Sequence, residues 1–266
     1  MEKKLWETIL RLETLSPSFV SVTYGAWGST RERTHNIVEK IVKETRLKHA
    51  AHLTCVAASR QEVDDVARGY WDAGVRHIVA LRGDAPQDMP DYTPHPDGYK
   101  YSSELVAGLK KIGDFEITVA AFPEKHPESV SFAADIEYLK QKIDAGATSA
   151  ITQYFFDVEL YFRYMEKVRA AGIKIPIYPG VLPVANIAQV QRFSDMCGAS
   201  VPKWLPELFA GLDNEPAMRG MLAVAVAADM CRKLIEFGCE HIHFYTLNRA
   251  VLTEAICRVL GKKSSA

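Results

Sequence analysis

Polar side chains able to do chemistry recur at one kind of place in this sequence, the end of a short apolar run. These places read Thr23-Tyr24-Gly25, His52 with Thr54, Arg82-Gly83-Asp84, Phe122-Pro123-Glu124, Gln153-Tyr154, Pro179-Gly180, and Tyr245, Thr246 and Asn248. The groups are few and varied: hydroxyls, imidazole, guanidinium, carboxylate, carboxamide and aromatic rings. No Ser/His/Asp order, HExxH, Walker loop or GxGxxG turn occurs. Histidine, cysteine and carboxylate spacings that would hold a metal are also lacking. Such a set suits a bound organic cofactor, which carries the chemistry that side chains cannot. Two further charges, Asp135 and Lys142, stand seven apart in a helical pattern, two turns along one face.

The elements that must position these groups alternate between two kinds. The first is short, apolar and β-rich: Phe19 to Ala26, Ala51 to Val56, His77 to Asp84, Ile117 to Glu124, Ser149 to Phe156, Ile175 to Pro183 and His241 to Asn248. Near-continuous apolar runs predict strands buried on both faces, as in a parallel sheet. The second kind is longer and amphipathic. Leu5, Ile9, Leu12 and Leu15 form one helical stripe, and Val63, Val66, Ala67 and Tyr70 a second. Ile136, Leu139, Lys140 and Ile143 form a third, and Leu160, Tyr164, Val168 and Ala171 a fourth. Gly74, Gly146 and Gly172 are stop signals for the last three. Pro202 to Gly238 reads as extra helices before the last strand.

Strict β/α alternation implies parallel strands with right-handed crossovers, in a doubly wound sheet or a (βα)8 barrel. Seven strands are readable, each followed by helix, and the leading helix has no strand before it. The Pro- and Asp-rich stretch Ala85 to Lys100 follows a strand and is expected to be a βα loop on the active-site face. No linker divides residues 1–266, so a single domain is expected.

Composition narrows the function classes. The 266 residues carry 32 Lys and Arg against 33 Asp and Glu, a net charge of −1. That balance argues against a nucleic-acid or membrane-coating protein. The five cysteines are scattered with no CxxC, which predicts a reducing, cytoplasmic setting. The longest apolar stretch, around Met221 to Ala228, is too short to span a bilayer, and Met1 to Trp6 lacks a signal-peptide core.

The segments SVTYGA, HLTC, RHIVALRGD, FPEKHPES, DAGATSAITQYFFD, PGVLPV and HFYTLNRA, in this order and spacing, resemble methylenetetrahydrofolate reductase of the bacterial type. The resemblance runs from Glu2 to Gly261. It implies an α/β fold, a (βα)8 TIM barrel with its first strand missing from this chain, carrying non-covalent FAD. It implies reduction of 5,10-methylenetetrahydrofolate to 5-methyltetrahydrofolate with NADH or NADPH. The order it implies is ping-pong: the pyridine nucleotide reduces the flavin and leaves, then the folate enters the same face.

Residue by residue, the resemblance makes Asp84 the catalytic carboxylate beside the flavin, able to tune it and to stabilise a cationic folate iminium. Thr23, His52, Arg82, Gly83, Tyr101, Ser102, His126, Asp135 and Lys142 become further cofactor contacts. A Lys suits a diphosphate and an Asp suits ribose hydroxyls. Phe122 stands where relatives can have Tyr, so it is kept as a packing contact. Thr23 and Gln153 are implied to touch nicotinamide or folate, and Phe193 to stack on nicotinamide or on the aminobenzoate ring. Gln189 and Arg249 are implied folate contacts, Arg249 through the glutamyl carboxylate. No metal is implied. Relatives form dimers or tetramers, and Met218 to Phe237 is apolar enough to supply a homo-oligomer interface.

One departure stands out. The family's first strand carries a general-acid Glu, and the sequence given begins after that strand. No residue here inherits the role by motif, and nothing supports Glu124 or Glu128 as substitutes. The expectation is a natural chain that starts upstream. The competing reading is a flavin- or folate-binding protein with little turnover. A generic barrel enzyme for phosphorylated substrates ranks last, because Leu182-Pro183-Val184 and Leu247-Asn248-Arg249 do not form a Gly-rich phosphate loop.

Overall fold

The computed structural model describes residues 2–23, 31–84 and 93–262. Helix α1 (Glu2–Glu13) leads, and strands and helices then alternate. They run β1 (Val20–Val22), α2 (Arg31–Glu44), β2 (His49–Thr54), α3 (Arg60–Asp72), β3 (His77–Leu81) and α4 (Ser102–Ile112). Next come β4 (Glu116–Ala121), α5 (Phe132–Asp144), β5 (Ser149–Tyr154), α6 (Val158–Ala170) and β6 (Ile177–Val181). Three helices follow, α7 (Ile187–Cys197), α8 (Trp204–Phe209) and α9 (Pro216–Glu236), before β7 (His243–Phe244) and α10 (Ala250–Val259).

Among the described residues the strands form one seven-stranded sheet in chain order. The registered pairs are parallel: β1 with β2, β2 with β3, β3 with β4, and β6 with β7. This is the TIM-barrel type of α/β order, with seven strands present. Continuous burial is the reason these runs become strands. Ile78, Val79, Ala80, Ile117 and Val119 in β3 and β4 are buried on both sides.

Each of the seven expected runs overlaps a strand, β2 and β4 beginning two residues and one residue before theirs, and every strand stops short of its run's end. Phe155, Phe156, Leu182 and Val184 lie beyond their strand ends, yet are buried. Apolarity there reports packing, not ladder pairing. Residues 24–26 of the first expected strand, and 85–92 of the expected loop, lie outside the described residues. The expected helix stops hold, with Gly74, Gly146 and Gly172 all at positive φ. The extra helices expected between Pro202 and Gly238 are α8 and α9.

Two compact units can be distinguished. One comprises Pro17–Ala120 and Glu137–Ala150 and carries β1 to β3 with α2 to α4. A buried polar chain crosses its strands: His77 Nε2 meets Thr118 Oγ1 at 2.7 Å, and Thr118 meets Ser149 Oγ at 2.6 Å. The other unit comprises Met1–Ser16, Ala121–Ile136 and Ile151–Ala266. Its core packs Tyr154, Phe156, Leu182 and Val184 with Val190 of α7 and with Leu205 and Phe209 of α8. There α1 is clasped to α10. Arg11 and Arg258 both pair with Glu254, and the Thr8 hydroxyl donates to the Asn248 carbonyl at 3.1 Å.

Candidate active site

In the unit beginning at Pro17, the expected residues gather at the C-terminal ends of its strands, the side on which barrels place chemistry. Thr23 follows β1 and is exposed. His52 is half-buried within β2, paired in register with Val79. Arg82, Gly83 and Asp84 leave β3, and Asp84 is exposed. The Arg82 carbonyl accepts from the Cys55 and Val56 amides at 3.2 and 2.9 Å, which locks this turn to the end of β2. Gly83 has φ +92°, and a Cβ there would lie 2.5 Å from Val56 Cγ1. Only glycine fits, because both the dihedral and the space exclude a side chain. The Cys55 thiol beside this turn is buried, and burial pushes it up to about 11, so it is held as an inert thiol.

Tyr101 is the N-cap of α4 and Ser102 its first residue. Tyr101 gives the helix no side-chain cap and is 61% exposed. The first-turn amides and the positive end of the helix dipole therefore suit an anion. A clamp from α3 holds this start. Arg60 donates to the Gly98 carbonyl and to Glu104, Glu104 accepts the Lys100 amide, and Tyr99 donates to Asp64 at 2.8 Å. On α5, the Lys142 ammonium reaches the Ala120 carbonyl at 2.6 Å, at the C-terminal end of β4.

The unit that contains β6 and β7 carries the remaining expected residues. Phe122 follows β4, and its ring meets His126 edge-on at 4.7 Å. Asp135 lies in the first turn of α5, half-buried. The side-chain carbonyl of Gln153 accepts from the Tyr154 amide at 3.0 Å. That bond takes one lone pair of the oxygen and fixes the orientation of the carboxamide, leaving the other lone pair and the NH2 group for further partners. Phe122, Lys125, Gln153, Tyr154 and Cys197 line one hollow.

On α7, Asn186 caps the Gln189 amide at 3.0 Å, and Phe193 packs partly buried against the core. Arg249 is the exposed N-cap of α10 and lines a second hollow with Tyr245, Thr246, Leu247 and Leu252. Leu247 and Asn248 just before it both have positive φ, +47° and +58°. Positive φ at a leucine is costly, and such strain concentrates at ligand clamps. A cation beside the amides of a helix start suits a carboxylate.

Sequence reasoning missed the supports around these groups. The Tyr245 hydroxyl donates to the Thr152 carbonyl at 2.8 Å, and the Gly180 amide donates to Thr152 Oγ1 at 2.8 Å, tying β5, β6 and the residue after β7 together. Glu124 and Lys125 brace the loop after β4. Among the described residues no group of three or more His, Cys, Asp or Glu could hold a metal ion.

The family model of methylenetetrahydrofolate reductase matches residues 1–261. A 5,10-methylenetetrahydrofolate reductase of Pectobacterium carotovorum subsp. carotovorum is 51% identical over 263 residues, covering 98% of this chain and 86% of the relative. The protein of the same name from Escherichia coli is 48% identical over 261 residues, with the same two shares. A probable methylenetetrahydrofolate reductase (NADH) of Oryza sativa subsp. japonica is 32% identical, over 97% of this chain and 45% of the relative. Among solved structures, an uncharacterized protein from Clostridium thermocellum that binds two copies of 5-methyl-5,6,7,8-tetrahydrofolic acid aligns with TM-score 0.54 at 15% identity. It covers 96% of this chain and 98% of its own, and it bears on the fold alone.

Proposed function

Because the chain belongs to the methylenetetrahydrofolate reductase family, an oxidoreductase family, we propose that it reduces 5,10-methylenetetrahydrofolate to 5-methyltetrahydrofolate with NADH or NADPH through bound FAD, in the cytoplasm. The carrying observation is that the family match spans residues 1–261 of the 266 while polar segments fall at the C-terminal ends of the strands. FAD would accept hydride equivalents from the pyridine nucleotide and supply them to the folate.

The donor chemistry fits that cofactor. An uncapped helix start at Tyr101 and Ser102, with the Lys142 ammonium at the end of β4, suits a diphosphate. The half-buried carboxylate of Asp135 suits ribose hydroxyls. Gly83 lets backbone approach closely, and Thr23, His52 and Arg82 carry hydrogen-bonding groups at the strand ends. Phe122 and His126 offer an aromatic pair. Asp84, exposed at its strand end, would stabilise positive charge developing on the folate.

For the folate, Gln153 donates its NH2, Phe193 supplies a stacking ring, Gln189 a carboxamide, and Arg249 a fork for the glutamyl carboxylate. A site that serves both substrates in turn gives ping-pong kinetics. Initial rates over a grid of NADH and folate concentrations test this. Parallel double-reciprocal lines with 5-methyltetrahydrofolate as product are expected; intersecting lines, or no folate product, contradict it.

A further inference from the structure

The C-terminal end of α7 is strapped down by side chains outside the proposed contacts. Glu124, two residues beyond Phe122, accepts the Ser200 amide on both carboxylate oxygens, at 3.0 and 3.1 Å. Pro127 of the same loop lies against Gly198, where a Cβ would come within 3.0 Å of its Cγ. From the end of β5, the Tyr154 hydroxyl meets Ser194 Oγ at 3.1 Å and accepts from Cys197 Sγ at 3.4 Å.

The loop is itself braced. Lys125 has φ +77°, and its ammonium donates to the carbonyls of His126, Pro127 and Ser129 at 3.1, 3.4 and 2.6 Å. Glu124 is therefore mounted on a stiff platform, and its charge-assisted bond to Ser200 is about twice as strong as a neutral one. With both oxygens committed to a backbone amide, the carboxylate is occupied in holding a helix end.

We propose that Glu124 is a positioning residue: by holding the turn at Gly198 to Ser200 it sets the register of α7, and with it Phe193 and Gln189. Phe193 adjoins Ser194, which Tyr154 holds, and Gln189 lies one helical turn earlier on the same element. Moving these two groups weakens their hold on the folate in the ground state and the transition state alike, which shows as a raised KM rather than a lowered kcat. The role rests on the folate assignment of Phe193 and Gln189 made above.

The test compares Glu124→Ala and Glu124→Gln in the full chain. Each is assayed for flavin content, for kcat and KM toward methylenetetrahydrofolate, and for amide hydrogen exchange across 194–201. Glu124→Ala is expected to raise KM about 5- to 20-fold with kcat within about twofold, the size of weakening one or two binding contacts. Flavin content stays unchanged and exchange across 194–201 quickens. Glu124→Gln keeps a carbonyl for the Ser200 amide and restores KM to within about threefold. An unchanged KM, equal losses in KM and kcat, or loss of flavin in the Ala variant overturns the proposal. If the unmodified chain itself fails to reduce the folate, the proposed function fails and this role falls with it. Unchanged exchange in Glu124→Ala would instead refute the strap alone.

Discussion

Gly83 shows how closely the turn after β3 is specified. Its φ of +92° and the 2.5 Å approach of Val56 Cγ1 leave no room for a methyl group. Gly83→Ala is expected to cost about 1–3 kcal/mol of stability, the range for backbone strain plus overpacking. It should also lower the flavin retained after purification, because Arg82 and Asp84 flank it. Thermal melts with parallel flavin absorbance check both, and a variant that keeps its melting point and its flavin would refute the reading. Arg249 makes a different prediction. It is exposed at the start of α10, so its removal should leave the fold intact. Arg249→Gln is expected to raise KM for the folate about 10- to 100-fold, the worth of a charge-assisted pair. Flavin reduction by NADH should hold steady. An unchanged KM contradicts the carboxylate assignment.

At the scale of elements, strands were legible wherever burial on both faces wrote an apolar run into the chain, as in His77–Leu81. Their ends were not. Phe155 and Phe156 continue the run of β5 but serve the core, Phe156 in one cluster with Val190 of α7, so apolarity overshoots pairing. Thr23, His52, Arg82, Asp84 and Gln153 could be read from the run ends, whereas Tyr101, His126, Gln189, Phe193 and Arg249 were singled out by resemblance alone, as was every expected role. The strap by Glu124 was illegible because its partner lies 76 residues away and is a backbone amide, which no side-chain pattern announces.

The clasp of α1 on α10 is similarly long-range: Arg11 and Arg258 converge on Glu254, which they hold below the usual carboxylate range. Its stability contribution is present above the ordinary carboxylate pKa and is lost as pH falls through the depressed one. Glu254→Ala should lower the denaturation midpoint at pH 7. A midpoint unmoved at that pH would mean the clasp contributes nothing.

Among the described residues, three histidines share one electrostatic fate. Burial pushes His243 down to about 4 and lowers His77 and His49 as well, with Glu116 partly opposing the shift at His77. Each folded imidazole binds its proton less readily than in the unfolded chain. Their contribution to stability is thus complete above pH 6.5 or so and drains away as the pH falls toward 4. Urea midpoints should drop between pH 7 and pH 5, and His243→Gln should flatten that slope; a slope unchanged in the variant contradicts it. The sequence leads to the expectation of a homo-oligomer interface over Met218 to Phe237, and α9 there exposes Met218, Met221 and Ile235. Sedimentation showing only monomer at micromolar concentration would sink it.

The visible absorbance of the purified 266-residue chain, read before and after anaerobic NADH and again after methylenetetrahydrofolate, tests the central claim. A flavin band that bleaches with the pyridine nucleotide and returns with the folate is predicted. A chain with no flavin band, or a band indifferent to NADH, NADPH and the folate, would contradict the assignment.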